Sequence, residues 1–448
     1  MKTTIKPAAL VNAALLAFAC ASAAGAAGSA TAQASSSNAT SADEQLARGA
    51  YLARVGDCAA CHTASPSRPF AGGLPLHTPF GTLFSTNITP DATTGIGAYT
   101  YDDFARAVRE GVTRDGHRLY PAMPYPSYAK VDDADMHALY RYFTHGVKPV
   151  AQANHAQQLS FPFNIRPLMA AWDWMYSPHG AYRADPQQSV EWNRGAYLVQ
   201  GLAHCGACHT PHNMLGAESA FDGNNNDTFL SGYSLAGWHA PDLRHQHDGG
   251  APGVSKDALV AYLRSGRQAD GAAFGPMTEV IDDSLQYLHD DDLNAIATYL
   301  TSAPLRTAKS DATPVAAATP QTADLVAVQL RAGHVGSAGA KVYLDNCSAC
   351  HRTDGSGAMP TFPRLANSAV VADTDPSSLI HIVLTGSHMP STRNAPTPLA
   401  MPDFGWRLND QQVADVLTFV RSSWGNHASP VTADDVSKVR QITQAASK

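Results

Sequence analysis

Arg194-Gly195-Ala196-Tyr197-Leu198-Val199-Gln200-Gly201-Leu202-Ala203-His204-Cys205-Gly206-Ala207-Cys208-His209 is the stretch that decides the fold. It opens as a short apolar helix and ends in Cys-x-x-Cys-His. The same order occurs twice more. Arg48-Gly49-Ala50-Tyr51-Leu52 leads into Cys58-Ala59-Ala60-Cys61-His62, and Gly339-Ala340-Lys341-Val342-Tyr343 leads into Cys347-Ser348-Ala349-Cys350-His351. Each motif is followed, much further on, by a segment with helical apolar spacing that starts at Asp or Asn. These segments are Asp132–Phe143, Asp290–Leu300 and Asn409–Trp424. Asp and Asn are good helix N-caps, and apolar residues three and four apart form one buried stripe. A helix before each motif and one after it, three times over, predicts a mostly α chain. The expected architecture is three tandem small helical domains with extensive loops.

Cys-x-x-Cys-His is the attachment signature of a c-type haem. The two thiols form thioethers to the vinyl groups, and the adjoining imidazole ligates the iron. A single copy also fits a redox-active dithiol or half of a zinc site. Three complete copies favour haem, and the pairs lie too far apart in sequence to need one another as zinc ligands. The expected attachment residues are Cys58, Cys61, Cys205, Cys208, Cys347 and Cys350, with His62, His209 and His351 on the irons.

Iron that only transfers electrons keeps both axial positions filled, and methionine opposite histidine raises the potential. Met123 stands in Tyr120-Pro121-Ala122-Met123-Pro124, where the prolines stiffen the loop. Met277 follows Gly275-Pro276 just before the second closing segment, and Met401 precedes Pro402 just before the third. Met389 competes with Met401. Met136 falls inside a closing helix, and Met214 lies too close to its motif to reach the far face. His117, His239 and His388 read as surface or hydrogen-bonding groups. Arg118, Arg267 and Trp406 are candidates for propionate contacts or for packing.

The remaining chain supplies context. Its 448 residues suit several domains. Charged residues are only 15%, while 34 Gly and 29 Pro imply much loop. A net charge of −7 argues against nucleic acid as a partner. Lys2 and Lys6, the apolar run Ala8–Ala24 and Ala32-Gln33-Ala34 read as a secretory signal over residues 1–34, which would place the protein in the periplasm. A membrane anchor and a lipoprotein site at Cys20 are the alternatives. The expected units are then 43–150, 185–303 and 327–426. An aromatic-rich connector covers 151–184 and an Ala/Thr/Pro linker 304–326, and a polar tail, 427–448, contains no run long enough to span a bilayer. Phe161, Phe163, Trp172, Trp174, Met175 and Tyr176 are too many aromatic and apolar groups for a free linker, so the connector is expected to pack between units or against a partner.

Four stretches carry a family resemblance: Leu119–Tyr128 (LYPAMPYPSY), Cys205–Leu215 (CGACHTPHNML), Trp238–Leu243 (WHAPDL) and Met401–Leu408 (MPDFGWRL). With them the chain resembles the three-haem cytochrome c subunits of membrane-associated bacterial alcohol, gluconate, sorbitol and fructose dehydrogenases. The resemblance implies one haem on Cys58, Cys61, His62 and Met123. It implies a second on Cys205, Cys208, His209 and Met277, and a third on Cys347, Cys350, His351 and Met401. It also implies a flavin- or quinone-dependent dehydrogenase subunit as partner, ubiquinone or another respiratory carrier as acceptor, and peripheral attachment at the outer face of the cytoplasmic membrane. No catalytic residue is expected. Similar cytochromes accompany molybdenum hydroxylases. A free-standing shuttle and a haem peroxidase or reductase are further alternatives, the last needing an open iron site that three methionines argue against.

Overall fold

Gly49, Gly195 and Gly339, the shared glycine of the three lead-in stretches, sit where pairs of helices cross. A Cβ on Gly49 would lie 2.1 Å from the carbonyl oxygen of Ala138. On Gly195 it would lie 2.0 Å from that of Ala295, and on Gly339 2.1 Å from that of Asp415. One turn along each closing helix stands Tyr142, Tyr299 or Phe419. Only glycine lets two backbones approach this closely. In this computed structural model, which describes residues 41–223, 227–244, 254–268, 271–302 and 320–446, the lead-in helices are Ala42–Val55, Val190–Gln200 and Ala338–Asn346. They pack on closing helices Asp133–Arg141, Asp290–Ser302 and Asp410–Arg421. The expected signal, 1–34, and residues 304–319 of the expected linker lie outside the described residues.

Capping follows the sequence. Asp132 accepts from the Asp135 amide, and Asn409 forms a reciprocal capping box with Gln412. Ser189 and Ser337 cap the second and third lead-in helices. Such caps contribute about 1 kcal/mol each. Elsewhere the chain is loop with small antiparallel pairings. They join 75–78 to 81–84 (extended by 158–159), 233–235 to 238–240, 267–268 to 271–272, and 387–388 to 400–401.

Three helix crossings share two main apolar cores. Leu52, Phe104, Met136 and Leu139 of the first segment join Leu198, Leu202, Phe229, Ile281 and Ile296 of the second in one cluster. Each large side chain buried there contributes roughly 1.5–3 kcal/mol, so these two segments stabilise one another. The third segment has its own cluster, which includes Tyr343, Ile380, Val413, Leu417 and Trp424. That cluster extends past the expected C-terminal edge at 426. Leu330 enters it from helix Pro320–Arg331, Val431 from the stretch before helix Ala433–Ala446, and Val436 and Val439 from within that helix. The stretch read as a polar tail therefore carries an apolar stripe packed on the third segment. Among the described residues no helix is long and apolar enough to cross a membrane.

The connector has two faces. Trp172 is buried with Tyr125 of the first segment and Ala217 of the second, and its indole N–H donates to the Leu215 carbonyl at 3.0 Å. The Tyr125 hydroxyl donates to Asp173 at 2.5 Å, and Arg118 also pairs with Asp173. One face of the connector thus packs between the first and second segments. Phe161, Leu168, Trp174 and Met175 are exposed on the other.

Candidate functional site

Each Cys-x-x-Cys-His motif forms a turn of helix that ends on its histidine: Cys58–His62, Gly206–His209 and Ser348–His351. Each imidazole is held by the same device. Nδ1 of His62 lies 2.7 Å from the Thr86 carbonyl oxygen. Nδ1 of His209 lies 2.8 Å from that of Pro241, and Nδ1 of His351 2.9 Å from that of Pro363. A carbonyl only accepts, so the proton belongs on Nδ1 and the lone pair on Nε2. A second hydrogen bond of this kind orients a metal-ligating histidine and sets its tautomer. Burial also lowers the pKa of all three imidazoles and favours the neutral, ligating form.

The six motif cysteines are free thiols. Cys58, Cys61, Cys205 and Cys347 keep some accessible surface, yet enough protein surrounds them to raise their pKa. Burial pushes Cys58, Cys205 and Cys347 up to about 12 and Cys61 up to about 11. A redox-active dithiol needs the opposite shift, toward thiolate. Among the described residues no group of three or more His, Cys, Asp and Glu side chains gathers as a metal cage. Two free thiols beside an oriented imidazole fit a covalently attached c-type haem.

Met123 lies in a loop, Met277 is the second residue of a helix, and Met401 lies in a short strand. Met123 and Met277 are half-buried against the shared core. Met277 opens helix Pro276–Asp283, which packs against the first motif helix. Met401 pairs with Ser387 in a small hairpin, and the amide of Met389, the competitor, donates to the Leu399 carbonyl in the same hairpin. Met389 is the more buried of the two. Met136 is core and Met214 is 94% exposed. His117 pairs with Asp115 at the surface, His388 is exposed, and His239 bridges to Asp375 across the join of the second and third segments. Arg118 is taken up by Asp173, Arg267 donates to the Thr397 carbonyl, and Trp406 is exposed.

The cytochrome c family profile matches residues 170–304 and 336–424. The chain is 50% identical over 408 residues to a gluconate 2-dehydrogenase cytochrome c subunit from Pantoea cypripedii, covering 89% of this chain and 90% of that one. The chain belongs to the cytochrome c family. This cytochrome is also 44% identical over 408 residues to the cytochrome c subunit of a quinone alcohol dehydrogenase from Gluconobacter oxydans, covering 90% and 84% of the two chains. It matches one of the subunits of a nicotinate dehydrogenase from Pseudomonas putida at 43% identity over 380 residues, or 84% of this chain and 30% of that longer one. It is thus a cytochrome c-type subunit related to those of dehydrogenase complexes.

Sequence reasoning did not find what locks the first two sites of this cytochrome together. Arg48 pairs with Asp135, and Arg194 pairs with Asp292 at 2.7 and 2.8 Å, each within its own segment. The tyrosines of the two lead-in stretches cross over. Tyr197 donates to Asp135 at 2.7 Å, and Tyr51 donates to Asp292 at 2.5 Å. Burial, with the adjoining carboxylate, raises the pKa of both phenols. A buried carboxylate is tolerable only when its lone pairs are satisfied, and here each is satisfied from both segments. The repeated Arg and Tyr were visible in the sequence, but their Asp partners were not marked. The carbonyls of Thr86, Pro241 and Pro363 carry no side-chain signal at all. Two half-buried carboxylates near the thiols were also missed. Asp57 is pushed up to about 7, by burial and then by Asp283, and Glu218 up to about 8 by burial.

Proposed function

We propose that this cytochrome binds three covalent haem c groups and relays electrons from a partner dehydrogenase to ubiquinone or another respiratory acceptor. The partner is a periplasmic flavin- or quinone-dependent subunit that oxidises an alcohol, sugar or sugar acid. The observation that carries the reading is the threefold recurrence of a Cys-x-x-Cys-His turn whose histidine Nδ1 is tied to a backbone carbonyl. Bound haem supplies one-electron transfer, so the chain itself needs no acid or base. Cys58 and Cys61, Cys205 and Cys208, and Cys347 and Cys350 hold the groups. His62, His209 and His351 present Nε2, and their Nδ1 bonds keep each ring from turning. Met123, Met277 and Met401 would be further iron ligands in that order, and thioether ligation would raise the potentials. The three equivalent helix crossings support three cytochrome c-type units. The shared core and crossed tyrosines of the first two keep their spacing constant. The basic and apolar start of the chain supports export, with the protein held peripherally at the outer face of the membrane.

Gentle purification from native membranes, followed by intact mass analysis, tests this. Three haem additions on this chain and a flavin or quinoprotein dehydrogenase in fixed ratio are expected, with haem reduction when that enzyme's substrate is added. Fewer haems refute the count, and a solitary chain refutes the dedicated subunit. The match to the nicotinate dehydrogenase chain favours a second reading, a cytochrome serving a molybdenum hydroxylase. A molybdenum subunit in the purified complex would select it.

A further inference from the structure

We infer that the outer face of the connector, with the loop at Met214, is a membrane-docking surface that inserts into the headgroup region of a bilayer. This deepens the membrane side of the reading above and can fail while the relay stands. Phe161 is 79% exposed, Trp174 81% and Met214 94%, with Phe163, Leu168 and Met175 also exposed nearby in the connector. The backbone beneath them is anchored. The Ser160 amide donates to the Phe80 carbonyl, the Tyr120 hydroxyl to the Phe163 carbonyl at 2.8 Å, and Arg166 to the Arg118 carbonyl at 2.9 Å. Phe163 also packs on Phe80, with ring centroids 4.4 Å apart. Trp172 Nε1, bonded to the Leu215 carbonyl, brings the Met214 loop alongside. The apolar side chains are therefore presented outward by a fixed scaffold.

Charge selects the occupant. Within residues 151–184 the only Asp, Glu, Lys or Arg residues are Arg166, Arg183 and Asp173, beside His155 and His179, in a chain of net charge −7. Asp173 is buried and neutralised by Arg118 and Tyr125, and Arg166 lies over the Tyr120 ring. Within residues 151–184 no carboxylate is exposed, so this part of an acidic protein can meet an anionic lipid surface without repulsion. Trp and Phe are the side chains that favour the water–lipid boundary, and insertion strength there scales with buried apolar area. Protruding aromatic groups suit a yielding medium, whereas a protein partner needs a matched pocket for each.

The test is flotation of the haem-loaded full chain with vesicles of phosphatidylethanolamine and phosphatidylglycerol. Wild type is expected to float, and to do so still at raised salt, because apolar insertion is not screened. The combined variant Phe161→Ser, Trp174→Ser, Met214→Ser is expected to lose vesicle affinity by roughly a hundredfold. Its haem spectrum, melting temperature and dehydrogenase co-purification are expected to stay unchanged. The apolar variant Phe161→Leu with Trp174→Phe is expected to float within about threefold of wild type, which separates lost insertion from lost folding. Failure of wild type to float, loss of binding in salt, full binding by the serine variant or loss of binding by the apolar variant overturns the proposal. So does loss of the dehydrogenase from the serine variant, which would assign the face to that subunit. Haem count and substrate-driven reduction test the relay separately.

Discussion

Replacing Gly195 by Ala puts one methyl group into the crossing of helices Val190–Gln200 and Asp290–Ser302. That carbon would stand 2.0 Å from the Ala295 carbonyl oxygen, 2.6 Å from its carbon and 2.8 Å from Tyr299 Cβ. Real Cβ atoms essentially never come within 3.0 Å of such atoms, so the helices must part by about 1 Å. The nearest atoms are backbone and cannot swing aside, which places the overpacking near the upper end of the usual range, about 3 kcal/mol. Alanine returns about 1 kcal/mol of helix propensity. The net loss is about 2 kcal/mol, or roughly 4–8 °C in melting temperature. Thermal unfolding of the haem-loaded protein by far-UV circular dichroism reads this directly. Gly336→Ala is the control, since nothing lies within 4 Å of that Cβ, and its melting point should move by less than about 2 °C. A Gly195→Ala protein that melts with wild type would refute the close crossing and, with it, the equivalence of the three units.

Tyr197→Phe removes one donor from the buried Asp135, and denaturant titration should register a loss of about 1–3 kcal/mol; Tyr51→Phe should act on Asp292 in the same way. Met277→Ala should abolish the weak red absorption of one methionine-ligated ferric haem and lower one potential in a redox titration. An unchanged spectrum would remove Met277 from the ligand set. Glu218 is an acid whose folded pKa, about 8, lies above its ordinary 4.5. Between those values the folded state binds more protons than the unfolded one, so stability from this group falls as pH rises through that window. The melting point of wild type should therefore decline relative to Glu218→Gln between about pH 5 and pH 8. Cys347→Ala with Cys350→Ala should leave a chain lighter by one haem in intact mass analysis.

What the sequence determined alone was local. Attachment chemistry depends on residues within one turn, so the three Cys-x-x-Cys-His motifs were legible. So were the lead-in and closing helices, because apolar spacing and caps such as Asp132 and Asn409 act over a few residues. The glycine before each motif was visible as a repeat, but its purpose, a backbone crossing, was not. Tertiary structure decided which groups meet across long separations. The carbonyls that hold His62, His209 and His351 are backbone atoms, identical in every residue type, and only folding selects Thr86, Pro241 and Pro363. Tyr51 and Tyr197 look alike in sequence, and their crossing to Asp292 and Asp135 follows from how two units pack into one core. Likewise, the last helix is polar on average and reads as a tail. Its Val436 and Val439 become core only because the third unit leaves a face for them to cover.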